Sequence, residues 1–287
     1  MNWKQARIAL QTSLGTLYGP EESAAMVRIL LEDRFGLDPG SALLRAEESM
    51  TAEETKDWDD CTARLMKAEP VQYVCGSAHF AGMMLRVSPA VLIPRPETEE
   101  LFLLAKQGLL HSREPVILDL CTGSGCLAIG IKKNFPGARV LGLDVSEAAL
   151  HLARTNGMEQ KTAVEWLLAD ITLPEAGRGL PWLDMMVSNP PYVLPNEAAA
   201  MQRHVLDYEP PLALFTPPGD ALYFYRFVVA IAQEKLRPGG ILLLEINPTQ
   251  ASALEELLTD QGFIHTQAIP DLQGRLRMIR SEKPPDR

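Results

Sequence analysis

Long apolar runs are missing from this 287-residue chain, none approaching the length of about 18 residues that a membrane-spanning helix needs. No membrane partner is therefore predicted. Cysteine is scarce: Cys61, Cys75, Cys121 and Cys126 form no C-x-x-C pair and have no His at zinc-ligand spacing. That excludes a disulfide framework and leaves no metal site to predict, so all four read as small buried thiols. A surplus of positive charge is also lacking. With 27 basic against 37 acidic side chains the net charge is -10, so the molecule as a whole repels polyanions, which argues against a nucleic-acid substrate. The opening "MNWKQARIALQTSLG" carries Lys4, Gln5, Arg7 and Gln11 among its apolar residues and so lacks a signal-peptide core. A cytoplasmic location is the expectation. Internal repeats and low-complexity tracts are absent.

What is present is a globular composition, 46% hydrophobic and 22% charged, in a chain long enough for a large and a small domain. Residues 1–72 carry helical periodicity. Ala25, Met26, Ile29 and Leu30 share a face, and Gly36 stands where such a helix would end. Thr51 and Glu54 make a capping box, Trp58, Cys61 and Leu65 share a face, and Pro70 closes the segment. A small helical bundle is predicted, with nothing chemical in it. Residues 73–97 shorten into a glycine-containing pattern that predicts a hairpin or extended connector. Thr98 is then read as the N-cap of a helix whose apolar face holds Leu101, Leu104 and Ala105.

Over 98–287 the grammar becomes strand, loop, helix, repeated. Strands are predicted at Val116 to Leu120, Val140 to Asp144, Val164 to Ala169, Leu183 to Val187 and Ile241 to Ile246. Amphipathic helices are predicted at Leu127 to Asn134, Glu147 to Asn156, Leu222 to Lys235 and Ala251 to Thr259. This alternation predicts an α/β fold, a parallel sheet covered by helices on both faces. Phe263 to Ala268 and Leu276 to Ile279, joined by "DLQG", are close enough to form an antiparallel final pair. The closing "SEKPPDR" reads as a frayed end.

Ligands of such sheets bind beyond the carboxyl ends of the strands, where the first strand-to-helix turn lies. Here that turn is "DLCTGSGCLAI", in which Gly123 and Gly125 permit a tight turn and close backbone approach. Gly123, Gly125 and Ala128 also satisfy G-x-G-x-x-A, so an NAD-dependent oxidoreductase competes for the same residues. The strand-end acids separate the two. Asp119 would face a pyrophosphate unfavourably but suits a cationic amino-acid group, Asp144 could accept from ribose hydroxyls, and Asp170 falls near an adenine amino group. Together they fit S-adenosylmethionine, which carries a sulfonium and an ammonium and no phosphate.

The fourth strand runs into "SNPPY", Ser188 to Tyr192. Pro190 and Pro191 fix two φ angles and remove two N–H donors, so the chain leaves the sheet rigidly with carbonyls free to accept. A planar amide or aromatic amine is a poor nucleophile because its lone pair is delocalised. Two acceptors gripping its N–H bonds turn the lone pair towards an electrophile and stabilise the growing positive charge. The Asn189 side-chain oxygen and the Pro190 carbonyl can be those acceptors, and Tyr192 can stack on the planar group.

With "QYVCGSAHFAG", "VLIPRPETEEL", "LDLCTGSGCLAI", "VSNPPYV", "YEPPLAL" and "DLQGRLR" in order, nearly the whole chain resembles the protein-(glutamine-N5) methyltransferases of peptide chain release factors, the HemK/PrmC family. The NPPY element is shared with amino-methyltransferases of DNA adenine and ribosomal guanine; "IPRPETE" behind an N-terminal helical domain is more specific. The resemblance implies a Rossmann-like class I methyltransferase sheet, mostly parallel with an antiparallel last strand, and a small helical domain that docks the release factor. It implies S-adenosylmethionine as cofactor, S-adenosylhomocysteine as product, and the glutamine of a Gly-Gly-Gln loop as methyl acceptor. Thr122, Gly123, Ser124, Gly125 and Cys126 then surround the methionine portion, Asp144 holds the ribose, Asp170 and Ile171 flank the adenine, and Asn189 to Tyr192 clamp the glutamine, with Asn189 also against the cofactor. Two departures stand out: "EINPTQ", with Asn247 and Pro248, replaces the family's Glu-x-Gly-x-x-Gln, and Pro211 stands where the family has Arg. The alternative is an amino-methyltransferase acting on a nucleic-acid base.

Overall fold

A computed structural model describes residues 1–285, and the last two positions of "SEKPPDR" lie outside the described residues. The chain divides into two units, one of Met1–Ser77 with Val87–Pro89 and Gln202–Tyr208, the other of Ala78–Arg86, Ala90–Met201 and Glu209–Arg287. In the first, α1 (Trp3–Tyr18) is opened by an Asn2–Gln5 capping box. Next comes α2 (Pro20–Ile29), which passes into a π-helical turn at Leu30–Arg34 before Gly36, at φ +65°, ends it. Then follow α3 (Pro39–Leu44), α4 (Ala52–Leu65), whose Thr51–Glu54 capping box is formed, and α5 (Val71–Cys75). The apolar stripes meet in one core in which Trp58 stands edge-on to Trp3 at 5.9 Å and Phe35 edge-on to Trp3 at 5.2 Å. Each such pair adds about 0.5–1.5 kcal/mol to the burial of its rings.

The second unit opens with a hairpin, β1 (Ser77–Phe80) and β2 (Met83–Arg86), which buries Phe80, Met83 and Leu85. Its sheet comprises β3 (Val116–Leu120), β4 (Arg139–Asp144), β5 (Glu165–Leu168), β6 (Leu183–Ser188), β7 (Leu236–Glu245), β8 (Ile264–Pro270) and β9 (Leu276–Glu282). The helices are α6 (Pro96–Leu109), α7 (Cys126–Asn134), α8 (Glu147–Glu159), α9 (Arg203–Tyr208, which belongs to the first unit), α10 (Pro211–Leu214), α11 (Tyr223–Lys235) and α12 (Ala251–Asp260). Strand order is β5-β4-β3-β6-β7-β9-β8, with β9 antiparallel to both neighbours and the other pairings parallel. The alternation thus yields the sheet the sequence predicts. β3 and β6 are buried on both faces because one apolar cluster, with α11 and α12, covers one side and another, with α6 and α7, covers the other. That arrangement is why these strands read as continuous apolar runs.

Three expectations need correction. Helix α6 starts at Pro96, with Arg95 in the cap position, because proline's fixed φ and missing N–H suit the first helical residue; Thr98 lies inside the first turn, buried, and is not the cap. The "SEKPPDR" segment is not frayed at its start: Ser281 and Glu282 complete β9, and Ser281 is fully buried. Of the cysteines, Cys61 and Cys126 are buried and Cys75 and Cys121 only partly so. Among the described residues no helix is long and apolar enough to cross a membrane.

Candidate active site

Strand β3 pairs β4 on one side and β6 on the other, so the connections diverge there and a crevice opens beyond the carboxyl ends of these strands. In register, Asp119 of β3 stands opposite Gly142 of β4 and Val187 of β6, and Leu120 stands opposite Ser188, whose hydroxyl donates to the Leu120 carbonyl at 2.8 Å. The crevice holds a cavity of about 280 Å³, at the small end for ligand sites.

The turn out of β3 is left-handed at Cys121, Gly123 and Gly125, with φ of +60°, +54° and +81°. A cysteine there is strained, since its Cβ crowds the backbone in a region that favours glycine. Gly125 faces away from the cavity, towards Trp166, and a Cβ on it would lie 2.8 Å from that ring. Asn156 of α8 anchors the loop from behind: its Nδ2 donates to the Ser124 carbonyl at 2.9 Å while its Oδ1 accepts from Arg86 N at 2.7 Å.

Asp119, Thr122, Gly123, Ser124, Cys126, Asp144, Asp170, Ile171, Asn189 and Pro191 all line the cavity; Gly125, Pro190 and Tyr192 lie outside its wall. Asp119 is 1% exposed. Its Oδ2 accepts from the Thr122 hydroxyl at 2.6 Å and from the Ala128 N–H at 3.1 Å, whereas Oδ1 is buried with no hydrogen-bond partner among the described residues. Burial pushes this carboxyl up to about 7, against the pull of those two bonds. Such an orphaned acceptor favours a ligand that brings a positive donor. The bond to Ala128 also occupies one N–H in the first turn of α7 and sets a buried carboxyl where a pyrophosphate would approach the helix. A carboxyl in the cavity wall at this point disfavours the dinucleotide reading of the glycine loop.

Asp144 accepts from Gly123 N at 2.8 Å and from Ser146 N at 2.9 Å, which fixes the carboxylate beside the loop; burial holds it above the usual carboxylate range. Asp170 takes both the N–H and the hydroxyl of Thr172 on Oδ1, at 2.9 and 2.7 Å. Burial raises the Cys126 thiol to about 12 and the Cys121 thiol still further, so neither is a nucleophile at neutral pH.

Asn189 donates from Nδ2 to Thr98 Oγ1 at 3.3 Å, Thr98 donates to Glu245 Oε2 at 2.6 Å, and Tyr192 donates to Glu245 Oε1 at 3.0 Å. Burial raises the Glu245 carboxyl, while the two hydroxyls and the Arg277 charge pull it back down. A second buried carboxylate, Glu209, accepts from Ile93 N at 3.1 Å and from Arg95, tying "IPRP" to "YEPP" at the cavity rim. The sequence does not reveal Thr98, Glu245, Arg95 and Glu209 as site-builders. Arg95 and Glu209 stand inside recognisable motifs, but nothing local marks them as partners. The two departures from the family pattern are accommodated: Asn247 caps the turn Pro248–Gln250 by accepting from Thr249 N at 3.1 Å, and Pro211 is the first residue of α10.

Residues 5–76 match the PrmC N-terminal domain model, and residues 102–207 match the methyltransferase small domain model. A release factor glutamine methyltransferase of Bacteroides thetaiotaomicron is 37% identical over 274 residues, spanning 96% of this chain and 98% of that protein. One of Flavobacterium psychrophilum is 34% identical over 280 residues, again 96% and 98%. Among solved structures, a methyltransferase from Pyrococcus furiosus superposes with a TM-score of 0.53 at 18% identity, covering 79% of this chain and 99% of that one, and shares the fold. At this identity and over this length, the chain belongs to the release factor glutamine methyltransferase family.

Proposed function

We propose that this enzyme transfers a methyl group from S-adenosylmethionine to the side-chain nitrogen of a glutamine, the one in the Gly-Gly-Gln loop of peptide chain release factors, in the cytoplasm. The observation that carries the cofactor is the buried Asp119 Oδ1, without a partner among the described residues, in the wall of the cavity beside the glycine loop. The names of the relatives support the acceptor, and the net charge of -10 disfavours the alternative of a nucleic-acid base.

The cofactor, when bound, supplies an electrophilic methyl carbon on a positive sulfur. Asp119 would accept from its ammonium, Asp144 from the ribose hydroxyls, and Asp170 with Ile171 would flank the adenine. Asn189 Oδ1 and the Pro190 carbonyl would accept the two N–H bonds of the glutamine amide, pulling its lone pair out of conjugation and lowering the cost of charge on nitrogen. No base need take the proton during transfer, because the product nitrogen becomes acidic once alkylated. Tyr192 would pack beside the amide. The helical unit, which matches the PrmC N-terminal domain, would contribute to docking the protein substrate.

The direct test is transfer of labelled methyl to a purified, unmethylated release factor, with a Gln→Ala change in its Gly-Gly-Gln loop as control. Label in the normal factor and none in the control is expected. No label in either, with S-adenosylhomocysteine demonstrably bound, would overturn the choice of acceptor.

A further inference from the structure

We propose that Glu245 and Thr98 are positioning residues that decide which edge of the Asn189 carboxamide faces the substrate. The inference rests on the clamp reading above and assigns its orientation to two side chains outside the NPPY element.

The oxygen and nitrogen ends of a carboxamide are nearly the same size, so shape alone cannot choose between an amide and its 180° flip. Hydrogen-bond partners must choose. Glu245, the last residue of β7, is 1% exposed and meets two hydroxyls, Thr98 at Oε2 and Tyr192 at Oε1. Each hydroxyl has one proton. The two hydroxyls donate to the two carboxyl oxygens, so the single proton of Thr98 is committed to Glu245 over 2.6 Å. Thr98 Oγ1 can then only accept from its other neighbour, and the edge of Asn189 that faces it must be Nδ2. Oδ1 is left as the edge for a substrate. A flipped amide would set oxygen against oxygen at Thr98 and would offer the substrate N–H bonds two more N–H bonds, which repel them.

The same carboxylate thus governs both ends of the motif, Asn189 through Thr98 and Tyr192 directly. Thr98 and Glu245 lie in α6 and β7 of one unit, 147 positions apart in the chain. Glu245 is absent from the cavity wall, so its effect on the reaction must pass through others.

Four enzymes test this: wild type, Thr98→Val, Thr98→Ser and Glu245→Gln. Thr98→Val keeps the volume and deletes the acceptor; Thr98→Ser keeps the hydroxyl. Glu245→Gln offers one acceptor and one donor where two acceptors stood, freeing the Thr98 proton to meet Asn189 Oδ1. If the pair orients the clamp, kcat for glutamine methylation falls by about 10- to 100-fold in Thr98→Val and Glu245→Gln, short of the loss expected from deleting a transition-state contact outright. Thr98→Ser recovers most of it. The dissociation constant of S-adenosylhomocysteine, measured by calorimetry, stays within about threefold in all four, as a change in orientation rather than in site shape requires. A readout free of the reaction is the Asn189 side-chain NH2 signal in protein labelled with nitrogen-15 asparagine, assigned by its loss in Asn189→Asp. In wild type and Thr98→Ser these protons are protected from exchange with solvent; in Thr98→Val they exchange faster. Unchanged protection and wild-type kcat in folded Thr98→Val would overturn the proposal. Should wild type itself fail to methylate a release factor, the functional reading falls, while the exchange experiment still decides the orientation.

Discussion

Asp119 accepts the Thr122 hydroxyl on one carboxylate oxygen at 2.6 Å and keeps the other buried, without a partner among the described residues. With its pKa raised from 3.8 to about 7, chiefly by burial, the ligand-free native state holds a proton there that the unfolded chain would release. By linkage, this residue's contribution to stability falls as pH rises from about 4 to 7 and is flat above. A bound ammonium requires the carboxylate, so S-adenosylhomocysteine should bind more weakly as pH drops below 7, by up to about tenfold per pH unit, with a proton released on binding. Calorimetry in buffers of different ionisation enthalpy measures this. Asp119→Asn should weaken binding and flatten the profile; an unchanged profile in that variant would assign the proton elsewhere.

Asn189→Ala removes one of the two proposed acceptors for the glutamine amide. Methyl transfer should fall by at least about 100-fold, the usual loss for a preorganised transition-state contact, with cofactor affinity largely spared. Near-normal turnover in this variant would refute the clamp.

Gly142 and Gly157 make a paired test of Trp166. A Cβ on Gly142 would lie 2.6 Å from Trp166 Cζ3 and 2.7 Å from Cε3, while one on Gly157, near the end of α8, would lie at an ordinary 3.4 Å from the same ring. Gly142→Ala should lower the unfolding free energy by about 1–3 kcal/mol through overpacking. Gly157→Ala should raise it by up to about 1 kcal/mol through helix propensity and a less flexible unfolded chain. Urea midpoints distinguish the two; equal shifts would mean that the ring moves freely.

Arg95→Met should cost about 3 kcal/mol or more, because it removes one partner of a buried ion pair and leaves Glu209, 2% exposed, with the Ile93 N–H. In the double variant Arg95→Met with Glu209→Gln, part of that loss should return, since no buried charge remains. A full double-mutant cycle in denaturant reads the coupling, and additive effects would show that the pair is solvated.

Features carried by short-range pattern are legible in the sequence. The apolar runs locate the parallel strands because burial on both faces leaves no alternation to confuse. The glycine turn and strand-end acids locate the crevice because the topology of such sheets puts their ends together. Thr98 shows where such reading stops. A threonine just ahead of the apolar stripe that starts at Leu101 has the look of a cap, yet Pro96 has already begun the helix, and the Thr98 hydroxyl answers to Glu245. The Arg95–Glu209 pair is also far apart in sequence, by 114 positions. Nor does sequence show that Tyr192 commits its hydroxyl to Glu245, since a stacking ring and a bonded one have the same letter. Ser281 and Glu282 escape such reading because a charged, proline-rich tail hides the last two residues of an interior strand.

That strand has a consequence for biosynthesis. β9 follows β8 in the chain but lies between β7 and β8 in the sheet. As the polypeptide leaves the ribosome, β7 therefore presents a bare, leucine-rich edge, and β8 has no place to dock until β9 emerges to separate them. An unpaired apolar edge is the feature that recruits other strands. Between the emergence of β7 and the docking of β9, the nascent chain therefore carries an open strand edge on which a foreign strand can pair.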